Sequence, residues 1–100
     1  MTAEAERYRD QLRAMLPELA EKFGVAELGL FGSRVRGDHR ADSDLDVLVR
    51  FLSESHPTLI TLIDLEYFLA DRLSIKVDLV LWDSLKPRLR PYILQEAQHV

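Results

Sequence analysis

The sequence predicts an α/β domain: a small sheet of about three strands covered by helices. Short apolar runs of strand length alternate with longer segments of helical periodicity. With 100 residues, the chain suffices for one domain, residues 1–100, with one modest core. Hydrophobic residues make up 47% and charged residues 30%, which marks a globular chain rather than a disordered one.

The elements follow in order. Residues 2–23 read as a helix, with Tyr8, Leu12, Met15, Leu16 and Leu19 at helical spacing. Thr2 can cap it, and acidic residues stand in its first turn, where the helix dipole favours them. Pro17 lacks a backbone donor, which predicts a kink or two successive helices. Gly24 stands where a helix C-terminal glycine is usual. Residues 27–33, ELGLFGS, read as a strand that ends at Gly32 and Ser33. Residues 34–43 are polar and turn-rich, with one helical turn at their start. Residues 44–51, DLDVLVRF, form a second strand with Leu45, Val47, Val49 and Phe51 on one face. A polar loop leads to Pro57. Residues 58–73 are then an amphipathic helix whose apolar positions include Leu59, Ile60, Leu62, Ile63, Leu65, Phe68 and Leu69. Residues 75–82, IKVDLVLW, are the third strand, and residues 85–97 are helical, with Pro87 and Pro91 limiting where that helix starts.

Composition excludes several functions. The formal net charge is -4, which argues against non-specific nucleic-acid binding, and no direct nucleic-acid partner is expected. It suits a basic partner, or acidic residues that hold cations. There is no cysteine, so disulfides, thiolate catalysis and thiolate zinc sites are ruled out. The first ten residues are charged and are no signal peptide, and no apolar run approaches the roughly 20 residues of a membrane span. A cytoplasmic protein without a membrane partner is expected.

The chemistry-bearing residues cluster. Asp44 and Asp46 lie two apart on one strand, so their side chains share a face with α-carbons roughly 6–7 Å apart. Two such carboxylates suit one magnesium ion, or a pair about 4 Å apart, completed by water and substrate phosphates. Asp78 falls among Val77, Leu79, Val80 and Leu81, where a buried carboxylate requires a cation. Either Lys76 on the same face or a bound metal meets that need. Gly32 and Ser33 end a strand that turns toward a helix, which exposes backbone N–H groups to an anion such as a phosphate; an ordinary turn has the same residues. Arg34 and Arg36 follow and are candidates for phosphate oxygens or for plain surface arginines. Ser43 is placed to orient Asp44, or simply to shape a turn. Trp82, Tyr92 and Ile93 read as completing the small core, with a contact patch as the alternative. His39, His56 and His99 lie in polar segments and read as surface residues. The ordered set Gly-Ser, then Ser-Asp-x-Asp, is far rarer than its parts: about one window in a million at average residue usage.

The stretch GSRVRGDHRADSDLDVLV with a distal Asp78 resembles the signature of the nucleotidyltransferase superfamily that includes DNA polymerase beta. The small size and the tail SLKPRLRPYILQEA resemble its minimal nucleotidyltransferases of prokaryotes. The resemblance covers nearly the whole chain. It implies a mixed sheet flanked by helices, the nucleotidyltransferase fold. It implies two magnesium ions on Asp44 and Asp46, with Asp78 completing one site and helping to activate the acceptor hydroxyl. Gly32 and Ser33 would hold the triphosphate of ATP. Many minimal members resemble the antitoxin of a toxin–antitoxin pair and add AMP to a tyrosine of a HEPN-domain toxin, which makes such a toxin the expected partner. The alternatives are an antitoxin that masks the toxin without catalysis, or a transferase acting on a small molecule such as an aminoglycoside. The latter generally carries a further domain for its acceptor.

Overall fold

The computed structural model describes all residues, 1–100. Helix α1 (Ala3–Phe23) leads into strand β1 (Val25–Phe31) and a single helical turn, α2 (Ser33–Arg36). Strand β2 (Leu45–Phe51), helix α3 (Leu59–Leu73) and strand β3 (Val77–Leu81) follow. The chain ends in a short helix, α4 (Arg90–Glu96), and a two-residue strand, β4 (Gln98–His99). The sheet is mixed, in the order β3-β2-β1-β4. Strand β1 runs antiparallel to β2 and β4, while β2 and β3 are parallel across the α3 crossover. An α/β fold with a mixed sheet was expected; the fourth strand was not, because two residues carry no periodicity. Its position is fixed by pairing of Gly29 with His99 and Leu30 with Gln98.

The helices form for local reasons that the sequence shows. The Thr2 hydroxyl accepts the Ala5 N–H and caps α1, and Gly24 closes it at φ 77°. Pro17 does not divide it: α1 is one element of 21 residues. Leu12 and Leu19, on either side of the proline, are fully buried, and packing carries the helix through the missing hydrogen bond. Helix α3 begins with a reciprocal capping pair, Thr58 and Thr61.

Strand alternation sets the two faces of the sheet. Leu45, Val47, Val49 and Phe51 join Leu28 and Leu30 of β1 in a core with Leu12 and Leu19 of α1 and Leu65, Leu69 and Leu73 of α3. Asp46, Leu48 and Arg50 point to the other face. On α3 the buried line runs Leu65, Leu69, Leu73, which leaves Leu59, Ile60 and Ile63 exposed although their residue types suited the core. No helix is long and apolar enough to cross a membrane.

Candidate active site

The site is built by the face of the sheet that α1 and α3 leave open. Asp46 sits on β2 between the buried Leu45 and Val47 and is half-buried. Asp44 lies one residue ahead of the strand, two positions from Asp46. The parallel register of β2 and β3 sets Asp46 opposite Asp78, so those two carboxylates share a face on neighbouring strands. The Asp46 carboxyl is pushed up to about 6, first by burial, then by the charges of Asp78 and Asp44 and a hydrogen bond to Asp78, while Arg36 pulls it back down. Burial and two neighbouring carboxylates all act against the charged form of Asp46, and a positive charge placed beside it would relieve them.

Asp78 corrects one expectation. It is exposed, not buried. Strand β3 lies at the edge of the sheet, and its alternation turns Val77 inward and Asp78 out. Its acidic neighbour is Asp46, so a buried charge in need of Lys76 does not arise.

Gly32 sits at φ 86° and ψ -164°, a conformation close to the reserve of glycine. A Cβ added there would fall 1.9 Å from Oδ2 of Asp46. The turn backbone and the Asp46 carboxylate are therefore in direct contact, and only a residue without a side chain permits it. Ser33 follows as the first residue of α2.

The two arginines part company. Arg34 is buried, with 6% of its surface exposed. Its guanidinium donates to the carbonyls of Ser43 (2.9 Å) and Ala41 (3.3 Å) and pairs with Glu4. It braces the loop before β2 and is not free for a phosphate, which corrects its assignment as a nucleotide ligand. Arg36 is exposed and donates to Asp38 (3.1 Å) and to Glu96. For Ser43 the turn reading holds rather than the nucleotide-site one. Its hydroxyl accepts the Arg40 N–H at 2.8 Å, and its own N–H donates to the Arg40 carbonyl, so it closes a turn and does not orient Asp44. Tyr92 is 72% exposed and completes no core, whereas Trp82 is half-buried and has the Arg90 guanidinium 5.7 Å from its ring centre. Sequence reasoning missed Glu96, whose Oε2 accepts the Gly32 N–H at 2.9 Å. Nothing local in the sequence signals a contact between residues 64 apart.

Residues 12–100 match the nucleotidyltransferase domain family. The chain belongs to this family. It is 44% identical over 95 residues to protein adenylyltransferase MntA of Thermococcus cleftensis, covering 95% of this chain and 94% of that one. A solved structure named for a minimal nucleotidyltransferase shares 39% identity, covers 93% of this chain and 92% of its own, and superposes with a TM-score of 0.74. A chain of the solved complex of a tri-AMPylated Shewanella oneidensis HEPN toxin with MNT antitoxin has a similar fold, at a TM-score of 0.66 and 20% identity, over 94% of this chain and 69% of that one.

The carboxylates of Asp44, Asp46 and Asp78 are oxygen donors of the type a hard cation takes. No three His, Asp or Glu side chains close into a ready chelate. Magnesium does not require one, since it keeps waters and takes phosphate oxygens beside one or two carboxylates. The facing of Asp46 and Asp78 across the parallel register is the observation that fits, and the Asp46 carboxyl, raised by burial and then by its acidic neighbours, is one a divalent cation would relieve.

Proposed function

We propose that this nucleotidyltransferase is a magnesium-dependent protein adenylyltransferase, which moves AMP from ATP to a tyrosine hydroxyl of a partner HEPN toxin in the prokaryotic cytoplasm and acts as its antitoxin. The observation that carries the proposal is the facing pair Asp46 and Asp78 with the Gly32 turn packed against Asp46. The adenylyltransferase name of the 44%-identical relative supports the reaction, and the AMPylated HEPN toxin held by the MNT antitoxin supports the partner.

Asp44 and Asp46 would hold the magnesium ions, with Asp78 completing one site. When bound, magnesium supplies charge neutralisation on the phosphates and a more acidic acceptor hydroxyl. Gly32 and Ser33 orient the triphosphate through backbone and hydroxyl donors, and the exposed Arg36 adds positive charge beside them. Asp78 is exposed on the edge strand, which leaves it open to an acceptor from solvent. The acceptor hydroxyl gives up its proton, with Asp78 the candidate to take it, as its oxygen bonds to the α-phosphorus; the bond from that phosphorus to the α–β bridging oxygen breaks, and pyrophosphate leaves. Alignment of the two reactants on one rigid sheet supplies much of the rate.

One feature favours a second reading, in which the antitoxin masks the toxin by contact alone. Ile60, Ile63 and Tyr67 form an apolar stripe on α3 that is 70%, 45% and 73% exposed. The test mixes the protein, magnesium, ATP and the product of the adjacent reading frame, and measures the mass of that product. Added AMP that disappears with Asp44→Ala is expected. Neutralisation without nucleotide, unchanged in Asp44→Ala, supports masking instead.

A further inference from the structure

We infer that Glu96 is a built-in occupant of the phosphate position, an affinity-determining residue that the nucleotide must displace. The inference rests on the site being a triphosphate site. Both oxygens of the Glu96 carboxylate are engaged: Oε2 accepts the Gly32 N–H at 2.9 Å, and Oε1 accepts from Nη1 of Arg36. A backbone N–H at a glycine turn together with a guanidinium is the donor set that binds a phosphate oxygen. In this chain an internal anion fills it.

The surroundings make displacement a side-chain event. The backbone on either side of Glu96 is tied down. The Ala97 N–H donates to the Ile93 carbonyl at 2.7 Å, and Gln98 and His99 pair with β1. The Val100 N–H donates to the Leu28 carbonyl at 2.9 Å, and its carbonyl accepts from Nε of Arg13 at 3.0 Å. The Glu96 side chain, by contrast, is 23% exposed and can rotate toward solvent without unpicking that latch. Glu96 also brings a further negative charge to a site that already holds Asp44, Asp46 and Asp78. A polyphosphate and this carboxylate cannot occupy the same two donors together, because both are anions. Apparent affinity for the phosphates is then the intrinsic affinity reduced by the fraction of molecules in which Glu96 has swung away.

The experiment measures binding of inorganic tripolyphosphate, with magnesium, by calorimetry. If Glu96 occupies the site in nine molecules of ten, Glu96→Gln and Glu96→Ala bind about tenfold more tightly than the unaltered protein. In an Arg36→Ala background the gain from Glu96→Gln shrinks, since the shared donor is gone. Equal or weaker binding by Glu96→Gln overturns the inference and makes Glu96 a brace for Arg36. A second measurement needs no variant: the carboxyl carbon resonance of Glu96 moves as tripolyphosphate is added. Binding without that movement also overturns it. The two proposals fail separately. Transfer of AMP by the unaltered protein with no tighter binding in the variants sinks only the role of Glu96. Tighter binding with no transfer to any partner sinks only the adenylyltransferase reading.

Discussion

At Gly32 the backbone leaves no room for a methyl group. Gly32→Ala strains a glycine-only conformation and drives a Cβ into the Asp46 carboxylate. We expect a loss of about 1–3 kcal/mol in chemical denaturation, together with lost transfer. Asp46 gives a prediction with a sign. Its folded-state carboxyl is raised to about 6 from an ordinary 3.8, so the folded protein binds the proton more tightly than the unfolded chain does. The stabilisation from that proton is complete below about pH 3.8 and is lost as pH rises through about 6. Without metal, Asp46→Asn should therefore raise Tm at pH 8 and leave it nearly unchanged at pH 3.5. The gain is on the order of 1 kcal/mol, allowing for solvent screening at a half-exposed group. An equal gain at both pH values contradicts the assignment. Asp78→Asn removes an exposed charge, so the fold should survive nearly unchanged while AMP transfer falls by at least about a hundredfold. Normal transfer by that variant removes Asp78 from the mechanism.

Loops and helix ends show where sequence patterns stop informing. Arg34 and Arg36 look alike in GSRVRG, yet one is buried under the loop before β2 and the other lies at the surface. Only tertiary contacts with Glu4, Ala41 and Ser43 separate them. Arg34→Met should cost about 2–4 kcal/mol, because it strips partners from Glu4 and two loop carbonyls. Its effect on tripolyphosphate affinity should be smaller than that of Arg36→Ala. Ser74, which ends α3 at φ 55°, is the one residue other than glycine with positive φ. Ser74→Gly relieves that conformation and should raise stability by about 0.5–1 kcal/mol, read as a shift in the denaturation midpoint. Strong periodicity made α1, α3 and the three longer strands legible. Pro17 does not split α1 in two, because the missing donor weighs less than the core that Leu12 and Leu19 enter.

Across the whole molecule, the residues proposed to carry chemistry stood out in the sequence because they are ordered along the chain: Gly-Ser at the end of one strand, Asp-x-Asp at the next, Asp78 on a third. What joined them was not local. The in-register pairing of Asp46 with Asp78 depends on the parallel crossover through α3, and the Glu96 contact depends on the last residues returning to β1. The exposure of Asp78 was misjudged for the same reason, since an edge strand and a central strand can share one apolar composition. In the proposed mechanism Asp44, Asp46 and Asp78 act together on divalent cations beside bound nucleotide. Manganese binding, followed by electron paramagnetic resonance with a non-hydrolysable ATP analogue, tests it most directly. Saturable, nucleotide-dependent uptake is expected, abolished by Asp46→Asn and diminished by Asp78→Asn. Uptake that is undiminished in both variants would contradict that mechanism.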